Sequence, residues 1–188
     1  LGRLDAVEEP TPLEVDALTR LILTESHEAG IGGPEAAGIA YVALNRIKAS
    51  RGKLATAEDL VMDRTGRTWF GDTRGKGYCY FTGTHLCPGR TRGGKLVWEH
   101  RKWLVAAEQA SRVLRGKEPN PVGKRTLFVH PGGMPACAEA GAVKKGRICT
   151  GTDAGIRWMP RWILTAEEGG AARTEPIYVG TAMFAGVP

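Results

Sequence analysis

Glu25 occupies a position where a core residue belongs. In residues 18–30, LTRLILTESHEAG, the side chains Leu18, Leu21 and Ile22 recur at helical spacing and make one apolar stripe. The next position on that stripe, seven residues after Leu18, is Glu25. A carboxylate on the apolar face of a helix is costly to ionise unless it is partnered. Desolvation raises its pKa, which is what a general acid at neutral pH requires. A glycosidase proton donor is held in this way, protonated until a leaving oxygen arrives. The plain alternative is a helix-end Glu whose side chain turns out to water, and spacing alone leaves both open.

Other chemistries find less in the chain. HEAGI at 27–31 begins like a metalloprotease helix, but that motif needs a second histidine at 31, where Ile stands. A zinc site from His27, His85 and His130 has no spacing to support it. No G-x-S-x-G elbow or phosphate-binding P-loop occurs. The four cysteines stand at 79, 87, 137 and 149, without a C-x2-C pair. Two local disulfides, Cys79–Cys87 and Cys137–Cys149, would each staple a glycine- and charge-rich loop lacking a core of its own, and would place the protein outside the reducing cytosol. Reduced, buried cysteines are the alternative.

The elements that must position these groups are legible in outline. Residues 1–10 read as a loose N-terminal arm, and 11–188 as a single domain. Thr11 with Pro12 and Glu14 starts a helix that runs to about Glu28. GIGGP at 30–34 reads as a flexible loop, and Pro34 opens a second helix to about Ala49. Its stripe of Ala36, Ile39, Ala40, Ala43, Leu44 and Ile47 is small enough to let another helix approach closely. TAED at 56–59 starts a short third helix, and 63–94 is a long irregular segment with interleaved aromatics. Residues 95–115 read as helix, 126–130 and 177–184 as strands, and 131–175 as mostly loop with an aromatic, basic patch, IRWMPRW, at 156–162. The fold class is α+β, dominated by helices.

Composition narrows the setting. The chain has 188 residues, is 42% hydrophobic and carries a formal net charge of +6, which fits one globular domain with a real core. No apolar run is long enough to span a membrane, and no secretory leader pattern is visible in these residues. From Arg64 to Lys102, nine cationic side chains face only Asp72 and Glu99. Such a run suits an anionic polymer such as a cell wall or nucleic acid, and is also what a solvated face looks like.

Taken together, several stretches resemble one family, the cell-wall hydrolases of the spore-cortex-lytic, SleB-like type. They are LTRLILTESHEAG followed by AGIAYVALNRI, then YFTGT at 80–84, AAEQASRVLRGKEPNPVGKRTLFVHPG at 106–132, IRWMPRW, and YVGTAMF at 178–184. Their order covers roughly residues 18–184. The chain departs from the family in a longer loop after Glu25, in Tyr80, in Ala182, and in the insertion bearing Cys79 and Cys87.

The resemblance implies a lysozyme-like, lytic-transglycosylase-like domain acting on peptidoglycan with Glu25 as its catalytic residue. One carboxyl group would cleave the bond between N-acetylmuramic acid and N-acetylglucosamine and leave a 1,6-anhydro end, without a second carboxylate from Glu28, Glu35, Asp63 or Asp72. It implies substrate contacts at Phe81, Thr82, Asn45, Arg46, His130 and Trp158, with Trp162 a further stacking candidate. From the residues alone, Arg46 pairing with Glu28, a packing His130 and core aromatics are the structural alternatives. No cofactor or metal, no nucleic acid, no membrane insertion and a monomeric state are expected, in the cell envelope, a spore or a phage particle. The competing functions are a water-using muramidase, a zinc N-acetylmuramoyl-L-alanine amidase, and a non-catalytic basic module that binds cell wall or nucleic acid.

Overall fold

The computed structural model describes residues 9–26, 28–50, 91–92, 95–96, 100–137, 143–144 and 146–186. The fold class is mixed α+β, in two compact units, Leu1–Asn120 and Pro121–Pro188.

Among the described residues the first unit holds three α-helices. Helix α1 spans Pro12–Glu25 and starts at the expected capping box, in which the Thr11 hydroxyl accepts from the Glu14 N–H while the Glu14 carboxylate accepts from the Thr11 N–H. It stops at Glu25 instead of near Glu28, because Ser26 is extended and its N–H closes the last turn onto the Ile22 carbonyl. Glu28–Gly30 is a short 3-10 turn. Helix α2, Pro34–Ala49, is buried almost all round through Ala36, Ala37, Ile39, Ala40, Val42 and Ala43. Strands β1 (Thr91–Arg92) and β2 (Lys95–Leu96) pair antiparallel, and helix α3 covers His100–Leu114. The helix expected from residue 95 therefore begins five residues later, because Lys95 and Leu96 are spent on a strand paired antiparallel with Thr91–Arg92. On the other side α3 ends as expected, with Gly116 in the left-handed region at φ 64°. Helix α1 packs on both α2 and α3, and the Arg20 guanidinium lies 5.3 Å from the Trp103 ring centre. The Tyr41 hydroxyl on α2 donates to the Glu118 carbonyl just beyond α3.

Among the described residues the second unit holds two three-stranded antiparallel sheets. In one, β3 (Leu127–Val129) and β7 (Ile177–Val179) flank β8 (Ala182–Ala185). In the other, β4 (Val143–Lys144), β5 (Arg147–Thr152) and β6 (Gly155–Pro160) follow in order. Val129 and Met183 from the first sheet, Ile148 and Met159 from the second, Ile163 from the short turn Arg161–Ile163 and Leu164 just after it form one apolar cluster. Residues 131–175, expected as mostly loop, thus contain a complete sheet. The single strand expected over 177–184 is a hairpin, because Gly180 takes φ 62° and Val179 pairs with Ala182 across Gly180–Thr181.

Cys137 and Cys149 form a disulfide with Cα atoms 6.1 Å apart. It clips the segment Pro135–Cys137, which already runs along β6 through Trp158 N–H to the Pro135 carbonyl and Cys137 N–H to the Ile156 carbonyl. The pair Cys79–Cys87, the helix from Thr56, and the segment 63–94 apart from Thr91–Arg92 lie outside the described residues. Among the described residues no helix is long and apolar enough to cross a membrane.

Candidate active site

Glu25 closes α1 directly above the stripe that the sequence draws. Leu18, Leu21 and Ile22 are each 0% exposed, so the last helical turn leads the Glu25 side chain along a dry face. The side chain is partly buried instead of turned to water. Burial pushes its carboxyl above the usual value of 4.5, and the nearby positive charge of Arg46 pulls the other way with the smaller effect. Arg46 is on the last turn of α2 and is itself pushed down to about 10 by burial, with Glu25 opposing. Both groups are driven toward their neutral forms by loss of water, and each partly offsets the cost of the other's charge.

For Arg46, a substrate contact by resemblance, the structural alternative is a pair with Glu28, whose side chain lies outside the described residues, and the charge it meets here is that of Glu25. Asn45, one residue earlier on α2, is buried at 9% exposure. Glu35 is 3% exposed in the first turn of α2, where the helix dipole favours a carboxylate. The hydroxyl of Ser26, next to Glu25, is buried without a hydrogen-bond partner among the described residues. Such a group is rare in folded proteins and gives the end of α1 an unused donor.

The loop from Gly30 to Gly33, expected to be flexible, is pinned. The Gly33 N–H donates to the Gly30 carbonyl at 3.0 Å. Gln109 on α3, fully buried, accepts from the Gly32 N–H at 3.1 Å and donates to the Gly33 carbonyl at 2.8 Å. The Gln109 amide also reaches Glu118, whose carboxylate accepts from Arg112 at 2.8 Å. The sequence carried a signal for Gln109 that went unread. It interrupts the helical series Ala106, Ala110, Val113 as Glu25 interrupts its own stripe.

The remaining candidates separate. Phe81 and Thr82 lie outside the described residues, as do His27 and His85 of the zinc triad. His130 and Trp158 belong to the second unit. The His130 ring meets Phe128 edge-on at 5.9 Å, and its Nδ1 lies 3.5 Å from the Thr181 hydroxyl. Trp158 is partly buried and pairs in register with Cys149, on the sheet face opposite the Ile148–Met159 pair. Trp162, by contrast, is 38% exposed. Among the described residues no group of three His, Cys, Asp or Glu side chains is gathered as a metal site would need. Comparisons with protein-family models, with curated proteins and with solved structures found no match to this chain.

Proposed function

We propose that this protein is a peptidoglycan-cleaving glycosidase of the lytic-transglycosylase type, built on a lysozyme-like domain, with Glu25 as its single acid–base group. The observation that carries this reading is the desolvated Glu25 carboxyl at the end of α1, held above its ordinary range in spite of Arg46. A raised pKa keeps the proton on the carboxyl to a higher pH than a carboxyl at its ordinary value would hold it.

In the first step Glu25 gives this proton to the oxygen linking N-acetylmuramic acid to N-acetylglucosamine, and the bond from the muramic acid C1 to that oxygen breaks. The resulting Glu25 carboxylate is stabilised by Arg46, whose positive charge lies close by. In the second step the carboxylate takes the proton of the muramic acid C6 hydroxyl as its oxygen bonds to C1. The 1,6-anhydro ring closes, the carboxyl is restored and no water is consumed.

Phe81, Thr82 and Asn45 are the substrate contacts this reading assigns in the first unit, and His130 and Trp158 those it assigns in the second. The net charge of +6 suits an anionic wall, and the Cys137–Cys149 disulfide suits an extracytoplasmic or phage-borne setting. Mass analysis of muropeptides released from purified sacculi tests the reading. Anhydro ends are expected. Reducing ends would mark a water-using muramidase, free stem peptides an amidase, and tight retention on sacculi or DNA without cleavage a binding module.

A further inference from the structure

Building on the reading of Glu25 as the acid–base group, we infer that Gln109 is a positioning residue for Glu25, acting through the loop that joins α1 to α2. Three observations converge on it. First, the carboxamide of Gln109 is fully buried and uses both of its ends on adjacent residues of that loop, accepting from Gly32 N–H and donating to the Gly33 carbonyl. Only a side chain with an acceptor and a donor side by side can do this, so neither a carboxylate nor a thioether replaces it. The two partners lie 76 and 77 residues away in sequence, so the contact fixes tertiary structure and not a local turn.

Second, α2 starts at Gly33, an N-cap without a side chain and therefore without the usual local cap. What holds the entry to α2 is Gln109. Third, the loop is pressed onto α3 and folded against α2. Gly32 has φ +86°, and a Cβ there would stand 2.7 Å from the Val105 Cγ1, while a Cβ on Gly30 would stand 3.0 Å from the Glu35 carboxylate. The loop therefore sits in close contact with side chains of both helices. Glu25 leads into it from α1, and α2 leads out of it to Arg46. Seating the loop fixes how deeply Glu25 is desolvated and how near Arg46 stands.

The test is Gln109→Met, which keeps the volume and loses both hydrogen bonds, with Leu104→Ala on the exposed side of α3 as the control. Two quantities are read on purified, folded protein: the titration midpoint of the Glu25 carboxyl by carbon-detected NMR, and the lytic rate against pH on sacculi. The midpoint is expected to move and the pH profile to move with it, with kcat down about tenfold to a hundredfold, as misplacement of a reacting group costs. Leu104→Ala should match the parent in both. A folded Gln109→Met protein whose Glu25 titration and pH profile superimpose on the parent's overturns the inference. Should Gln109→Met fail to fold, Gln109→Glu, which keeps the acceptor for Gly32 and loses the donor to Gly33, is read by the same criteria. A midpoint that moves in a protein whose Glu25→Gln variant still lyses sacculi would leave the positioning role standing and remove the glycosidase reading.

Discussion

The two units bury different things. In the helical unit the buried set includes Thr19, Glu35, Asn45 and Gln109 among the apolar side chains, and the partly buried Glu25 and Arg46 stand beside them. In the sheet unit every fully buried side chain among the described residues is apolar or belongs to the disulfide. Burying a polar group costs free energy unless each of its hydrogen-bonding atoms finds a partner, so a fold seeking only stability would do what the sheet unit does. The helical unit carries that cost in fully buried side chains around one loop and one carboxyl group, whereas the buried polar atoms of the sheet unit, Arg125 Nε and Thr174 Oγ1, sit on side chains that are only partly buried. The contrast is one of what is held in place: α1, α2 and α3 hold a costly polar arrangement, where the proposed chemistry would sit, whereas the β-hairpins are held by apolar packing and a covalent clip.

The largest effect that could break this contrast is catalytic. Glu25→Gln keeps the shape of the side chain but can neither give nor take the proton, so lysis of sacculi should fall by about 10²–10⁴-fold while the fold is retained. A folded Glu25→Gln protein clearing sacculi near the parental rate would remove the reason for the helical unit's buried polar groups. Next comes the covalent clip. Cys137→Ser with Cys149→Ala opens the loop between them and should cost about 3 kcal/mol. Amide exchange should quicken in β5 and β6 and stay as in the parent in α1 and α2. Equal quickening in both units would mean that they unfold together, and the contrast would then describe composition and not stability.

Sequence legibility follows the same division. The start of α1 was readable because a capping box is local, with Thr11 and Glu14 three residues apart. Helix α2 was readable from Pro34 and its small-residue stripe, and Glu25 from its interruption of a helical period. The β5–β6 hairpin was not, because RICTGT and GIRWMP mix polar and glycine residues into strands whose buried positions are few. The hairpin at 177–184 hid inside an apolar run, where Gly180 looked like a strand residue and is a turn. Partnerships were the least legible. That Arg46 faces Glu25, or that Gln109 reads a loop 76 residues away, is fixed by how helices pack and leaves no trace in local spacing.

A smaller effect sharpens the comparison. Ile22→Val and Ile163→Val each remove one methylene from a fully buried site, one in each unit, and each should cost about 0.5–1.5 kcal/mol. Only Ile22→Val touches the dry face that ends at Glu25. Its Glu25 titration midpoint should therefore fall toward 4.5, and that of Ile163→Val should stay put. Equal midpoints in the two variants would mean that the stripe packs the helix without setting the acidity of Glu25.

The smallest expected effect is a slope in stability against pH, and its sign is fixed. The Glu25 carboxyl has a higher pKa in the folded chain than its ordinary value of 4.5, because burial outweighs the attraction of Arg46. Between 4.5 and the folded value the native state therefore holds more of this proton than the unfolded chain does. Stability from this group is fully present below pH 4.5 and is lost as pH rises through the folded pKa. Glu25→Gln removes the titration, so its stability relative to the parent should improve with rising pH across that window and then level off. Denaturant unfolding of both proteins from pH 4 to pH 8 measures it. A difference that stays flat would mean that Arg46 cancels burial at Glu25, and one that runs in the parent's favour as pH rises that Arg46 outweighs it; in either case the carboxyl lacks the raised pKa the reaction needs.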